Sequence, residues 1–357
     1  MVNFWQRIFS PAQKMQDTQT NKTPVNVPNK TKASPEVSDA TTPVTNGTEK
    51  TTSPLALKNI GNDFYRYLLG VDSFHDGPVS ALEKTIIDSV DTLMQSQKEA
   101  ANLIPRMPGV VPQLMQKIRA DDYDGKEITE IINTDPVVMA EVLRLANSPF
   151  FRARNPAKNL ADAVLQLGQS GLREVIMSVA MKPIMQVGKG FTHQHAAKSI
   201  WEQSLKVAVA CRSLAKAEGV DRFNAYVAGL MHNTGSMVVL RQFDQAGKPM
   251  EPQHSRTFQH SVIQRATKLT FIITEQWGLP EEVVTALKEQ FGSHRRRPAT
   301  RLGRIVEMGT RLGQIQALSE NGRIDDPDSL VTLLSKQENG GNAVQAYTEM
   351  GVIEGLG

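Results

Sequence analysis

Cysteine is nearly missing from this chain: Cys211 is the single one in 357 residues. One thiol cannot close an intramolecular disulfide, and such a composition fits a reducing compartment, which predicts a cytoplasmic protein. Cys211 ends the apolar run Val207–Cys211 and reads as a buried small hydrophobe, not a reactive thiol. Net charge is nearly missing too. Forty Lys and Arg against 37 Asp and Glu leave +3, so no global field demands nucleic acid or a membrane as partner. There is no run of about 18 apolar residues that could span a bilayer. Residues 1–9 lack the apolar core and cleavage site of a secretory signal. Phe4, Trp5, Ile8 and Phe9 could share a helical face as a membrane or partner anchor, but a frayed terminus is the preferred reading.

Strand and hairpin signals are also absent, so the fold is expected to be all-α. Residues 11–54 contain no Leu, Ile, Phe, Trp or Tyr but six prolines, among them Pro11, Pro35 and Pro54. Such a segment buries too little apolar surface to offset its ordering entropy, which predicts a disordered arm and linker over residues 1–54. Helical patterning starts at residue 55. Leu82, Ile86, Ile87, Val90, Leu93 and Met94 recur at helical spacing and predict a helix over 80–99 that packs on the main domain or mediates self-association.

Boundary chemistry divides the rest. Asp135 and Pro136 form a cap and first-turn pair launching a helix through Asn147, and Pro149 stops it. Gly168 ends a helix over 160–167, with Ser170 placed to cap the next. A long helix is expected from His193 to Ala217, closed by Gly219, and Asp221 opens one carrying His232 near its end. A polar loop is expected over 244–258 and a helix over 260–276. Trp277-Gly278-Leu279-Pro280 breaks that helix, and Glu281 and Glu282 open another. Residues 299–357 read as helical but loosening toward the end.

Several phrases occur in a telling order: Pro105-Arg106-Met107-Pro108, Asn133-Thr134-Asp135-Pro136, Leu143 through Phe150, Ala163 through Gly168, Ala228 through Gly235, and Trp277 through Pro280. In these the chain resembles the HDOD (HD-related output domain) family. The resemblance implies a multi-helix HD-like domain over 101–315, preceded by the arm and by lead-in helices over 55–100, and followed by a helical tail over 316–357. It also implies bacterial signal transduction through protein contacts. Catalytic HD phosphohydrolases hold a divalent metal with a His, a His-Asp pair and a later Asp. Here the matching positions read Gln203, His232 and Asn233, and Asp244 falls in the expected loop. A neutral amide carries no charge for a hard cation and cannot act as a general base. The resemblance therefore implies a degenerate pocket, no cofactor, no metal and no catalysis.

Other candidates carry less. His193 and His195 face different directions on a helix and make a poor chelate. His254 and His260 flank the polar loop without a carboxylate pattern. Gly188-Lys189-Gly190 is too short to cradle a phosphate. Arg295, Arg296, Arg297, Arg301 and Arg304 form the strongest charge feature, a candidate contact for an acidic partner or a phosphate. Lacking interleaved aromatics, they do not point to nucleic acid. Asp135, Pro136, Asn147, Ser148 and Trp277 are read as structural. The sequence thus predicts a non-catalytic regulatory module acting on a protein partner or on a copy of itself. One alternative is a small-nucleotide sensor, with the ligand at Gln203, His232 and Asn233 and its phosphates near Arg295–Arg297. The other is a residual metal-dependent phosphohydrolase.

Overall fold

The computed structural model describes residues 54–71, 73–95, 113–114, 117, 124–149, 151, 156–186, 191–246, 253–292, 297–337 and 342–352. The expected linker as far as residue 53, the anchor of residues 1–9, the Pro105–Pro108 phrase, Gly188-Lys189-Gly190, Arg295 and Arg296 lie outside them. So do the side chains of His193 and His195.

The chain enters through α1 (Pro54–Leu69), β1 (Ser73–His75) and α2 (Ala81–Gln95). A first helical group follows: α3 (Gly125–Asn133), α4 (Pro136–Ala146) and α5 (Leu160–Gln186). The second comprises α6 (Phe191–Glu218), α7 (Arg222–Met231) and α8 (Thr234–Gln245), then β2 (Gln253–Ser255), α9 (Arg256–Gln276), α10 (Glu281–Glu289) and α11 (Arg301–Glu320). Helices α12 (Pro327–Ser335) and α13 (Ala343–Gly351) close it. The fold is helical, as the patterning predicts.

Short polar side chains fix where these helices begin. Asp135 accepts from the N–H groups of Val137 and Val138 at 3.0 and 3.1 Å, and Asp221 accepts from that of Asn224 at 2.7 Å. Each cap satisfies donors that a first helical turn leaves open. Gly168, at φ 58°, kinks α5 into two segments. An L side chain is strained there, so glycine sets the break.

Helix α6 is the central element and packs against α7, α8, α11 and α13. Gly229 lets α7 approach: a Cβ at that position would lie 2.7 Å from the Cα of Ala208 on α6. Backbone cannot yield as a side-chain tip can. Gly229→Ala is therefore expected to destabilise the fold by about 1–3 kcal/mol, measured as a lower midpoint in urea with an unchanged slope.

Two expectations are corrected. A strand pair exists: β1 and β2 pair in parallel, with Phe74 opposite His254. Strands of three residues are too short for a period-two signal. The polar loop is narrower than expected at both ends, because α8 runs through Asp244 and α9 already starts at Arg256. Ser255 supplies that start by accepting from the N–H of Phe258 at 3.1 Å. The C-terminal region still packs at α13, which buries Ala343, Ala346 and Met350 against the core.

Candidate functional site

Helix α6 brings Gln203, the end of α7 brings His232, and the turn into α8 brings Asn233 to one place. The two amides bond each other, Asn233 Nδ2 donating to Gln203 Oε1. Ser236 on α8 donates its hydroxyl to Asn233 Oδ1 at 3.4 Å. The Tyr65 hydroxyl, reaching in from α1, hydrogen-bonds Ser236, while burial pushes the phenol's pKa up. A polar chain of Tyr65, Ser236, Asn233 and Gln203 thus fills the position that the resemblance assigns to a metal.

Helix α1 is held there by more than Tyr65. The Tyr67 hydroxyl lies 3.0 Å from Ser199 Oγ on α6, and Gln259 Nε2 on α9 donates to Asn62 Oδ1 at 3.3 Å. Ile60, Phe64, Leu68 and Leu69 bury the apolar side of the helix. The sequence singled out neither Tyr65 nor Ser236. Their role depends on packing between segments far apart in the chain, which leaves no local motif.

His232 Nδ1 is 2.6 Å from the carbonyl oxygen of Gly229. A carbonyl only accepts, so Nδ1 carries the hydrogen and Nε2 holds the lone pair. Nε2 is buried without a partner among the described residues. Burial lowers the pKa of the ring from 6.5 to about 4, against the opposing pull of the Gly229 carbonyl. His232 is neutral at neutral pH.

This donor set does not fit a hard divalent cation. It offers one imidazole lone pair and two uncharged amides already committed to each other, whereas such ions take carboxylates and several imidazoles. Asp244 is helical but lies eleven residues beyond Asn233, roughly 16 Å along α8 at 1.5 Å per residue. Among the described residues, no group of three or more His, Cys, Asp or Glu side chains is arranged to hold a metal.

The other expected residues lie elsewhere. Arg301 donates to the carbonyl of Glu218 at 3.3 Å, and Arg304 donates to that of Ala299 at 2.5 Å. Both border a small cavity of about 80 Å³. Arg297 is exposed. Glu218 is fifteen residues along α6 from Gln203, roughly 22 Å. Arg301 thus sits at the far end of α6 from Gln203, while Arg295 and Arg296 lie outside the described residues. Asn147 clamps Ala157, accepting from its N–H at 2.7 Å and donating to its carbonyl at 3.2 Å. Ser148 donates to the carbonyl of Leu145 at 2.7 Å, and Trp277 is buried at the end of α9. His254 does have a carboxylate partner, Glu83 of α2, at 3.2 Å. His260 lies within α9, 2.7 Å from Gln264. Cys211 is fully buried, and burial pushes its thiol's pKa up.

A family model described as the HDOD domain matches residues 104–291. An uncharacterized protein of Treponema pallidum (strain Nichols) is 24% identical over 245 residues, covering 66% of this chain and 47% of that one. The chain thus spans about half the length of this curated relative. A solved HDOD domain protein of unknown function from Geobacter sulfurreducens aligns with TM-score 0.50 and 21% identity, over 76% of this chain and 93% of that one. A Shewanella amazonensis SB2B structure named "Putative phosphohydrolase" aligns with TM-score 0.53 and 21% identity, over 78% and 99%. Such identities establish a shared fold. Among the described residues, no helix is long and apolar enough to cross a membrane.

Proposed function

The chain belongs to the HDOD domain family, and from that membership we propose that it is a non-catalytic signal-transduction module that acts by contacting another protein. The observation carrying this reading is the amide pair of Gln203 and Asn233, closed by Ser236 and by Tyr65 from α1. A metal-dependent hydrolase needs an ion to activate water and an opening for its substrate. Here two neutral amides take the ligand positions, and a helix from outside the matched segment 104–291 lies over them. The Shewanella protein's name raises hydrolysis as the rival reading, yet a shared fold alone does not carry a reaction across.

The test is metal analysis of the purified full-length chain together with a phosphodiester hydrolysis assay. Less than a tenth of an equivalent of Mn, Fe, Zn or Ni, with no turnover after metal is added, is the expected result. One tightly held ion per chain, with hydrolysis abolished by His232→Ala, would overturn the proposal.

A further inference from the structure

We propose that a cleft between α5, α6 and α7, away from the Gln203–Asn233 pair, binds a small phosphate ester of nucleotide size. Three arginines far apart in sequence converge on it: Arg173 of α5, Arg212 of α6 and Arg222 of α7. The cleft measures about 610 Å³, within the range of roughly 300–1,000 Å³ typical of small-molecule sites. A neighbouring hollow of about 330 Å³ shares Arg212 and Arg222 and adds Lys216 and Glu349.

The cations are held in place. Glu174, buried beneath the cleft, accepts from Arg212 Nη1 at 2.7 Å. Burial pushes the Glu174 carboxyl's pKa up, against the opposing pull of Arg212, Arg222 and Arg173. The Arg173 guanidinium sits 4.1 Å from the centroid of the Phe223 ring, a stacked arrangement that restricts it. The other acidic group lining the cleft, Asp221, is committed to the N–H of Asn224 as the cap of α7. Three guanidinium groups line the cleft against the two carboxylates of Glu174 and Asp221, so positive charge exceeds negative.

Arg222 is the telling residue. It is exposed and is the first residue of α7, whose first turn contains no acidic side chain. A cation there opposes the positive end of the helix dipole. An anion bound in the cleft would be attracted both by that cation and by the helix end. Helix α5 restarts beside Ser170 and Gly171, which line the same cleft, so a second positive helix end faces it. Phe151 and Phe223 add apolar surface for a flat group such as a base. Guanidinium forks suit phosphate oxygens in bidentate geometry.

The experiment uses the full-length chain and measures Tm and binding heat with AMP, GMP, adenosine, guanosine and orthophosphate. A nucleoside monophosphate is expected to raise Tm and the free nucleosides to leave it unchanged. Arg222→Ala, an exposed change whose ligand-free Tm is measured alongside as the reference, is expected to weaken binding about tenfold or more. Arg297→Ala, an exposed cation elsewhere, should not weaken it. No response to either monophosphate, or undiminished binding by Arg222→Ala, overturns the proposal. An equal response to orthophosphate marks a plain anion site and overturns the nucleotide-sized ligand.

Discussion

Glu83→Ala is expected to lower the unfolding free energy by about 3–5 kcal/mol, a large fraction of a typical domain's stability. Glu83 is 1% exposed, on a lead-in helix that sequence alone marks only by its apolar stripe. Its carboxylate accepts from the N–H of Ser80 at 2.8 Å, the N–H of Ser255 at 2.7 Å and the hydroxyl of Ser255 at 3.0 Å, and it lies 3.2 Å from His254 Nδ1. Ser80 completes a capping box for α2, its hydroxyl accepting from the Glu83 N–H at 3.2 Å. Ser255 in turn caps α9. One carboxylate thus joins the starts of two helices and the end of β2. Its removal strips acceptors from buried donors, which costs more than an average hydrogen bond.

Glu83→Gln should restore only part of the loss, because an amide nitrogen would face donors where an oxygen accepts. By contrast, Asp91 on the same helix holds Arg265 through two bonds of 2.8 and 2.6 Å, but the pair is partly exposed. Asp91→Ala should therefore cost only about 1 kcal/mol. Urea unfolding of the three variants checks the ranking. An equal loss for Glu83→Ala and Asp91→Ala would mean that the buried carboxylate has no special weight.

The same cluster shows what the sequence could and could not reveal. The caps at Asp135 and Asp221 and the breaks at Gly168 and Gly219 act on their own neighbours, so residue identity suffices to place them. Glu83 and His254 stand 171 positions apart, and no local pattern joins them. The candidate site divides along the same line. Gln203, His232 and Asn233 are named one residue at a time from the resemblance, and the fold does bring Gln203 against Asn233. Tyr65 reaching Ser236 from α1 is not legible in this way, since packing alone brings that helix over the pair. Charge behaves similarly. The sequence cluster ending in Arg301 and Arg304 directs those two guanidinium groups onto backbone carbonyls. The convergent arginines are instead scattered from residue 173 to residue 222, where no run of like charge draws attention.

His232 carries the second large effect, a loss of stability on mild acidification. The folded chain holds its imidazole neutral down to about pH 4, whereas an unfolded chain takes up the proton near 6.5. Between those values the unfolded state binds more protons, so stability falls as pH falls from 6.5 to about 4. Below that window this group adds no further slope. At about 1.4 kcal/mol per pH unit, the full effect is about 3 kcal/mol. Glu83 then extends the acid sensitivity downward. Burial pushes its carboxyl's pKa up, but bonds from Ser255, Ser80 and His254 outweigh burial and leave it below the usual 4.5. Its contribution is therefore present above that value and lost as pH falls through the lower one. The two windows overlap at their edge, His232 acting from 6.5 to about 4 and Glu83 from 4.5 downward. His232→Asn separates them, because an asparagine amide can replace Nδ1–H as donor to the Gly229 carbonyl but cannot titrate. Unfolding midpoints measured from pH 7 to pH 4 should fall steeply in the wild type and stay nearly level in His232→Asn. Parallel profiles would show that His232 is not the group that titrates, and the buried Nε2 lone pair would then need another explanation.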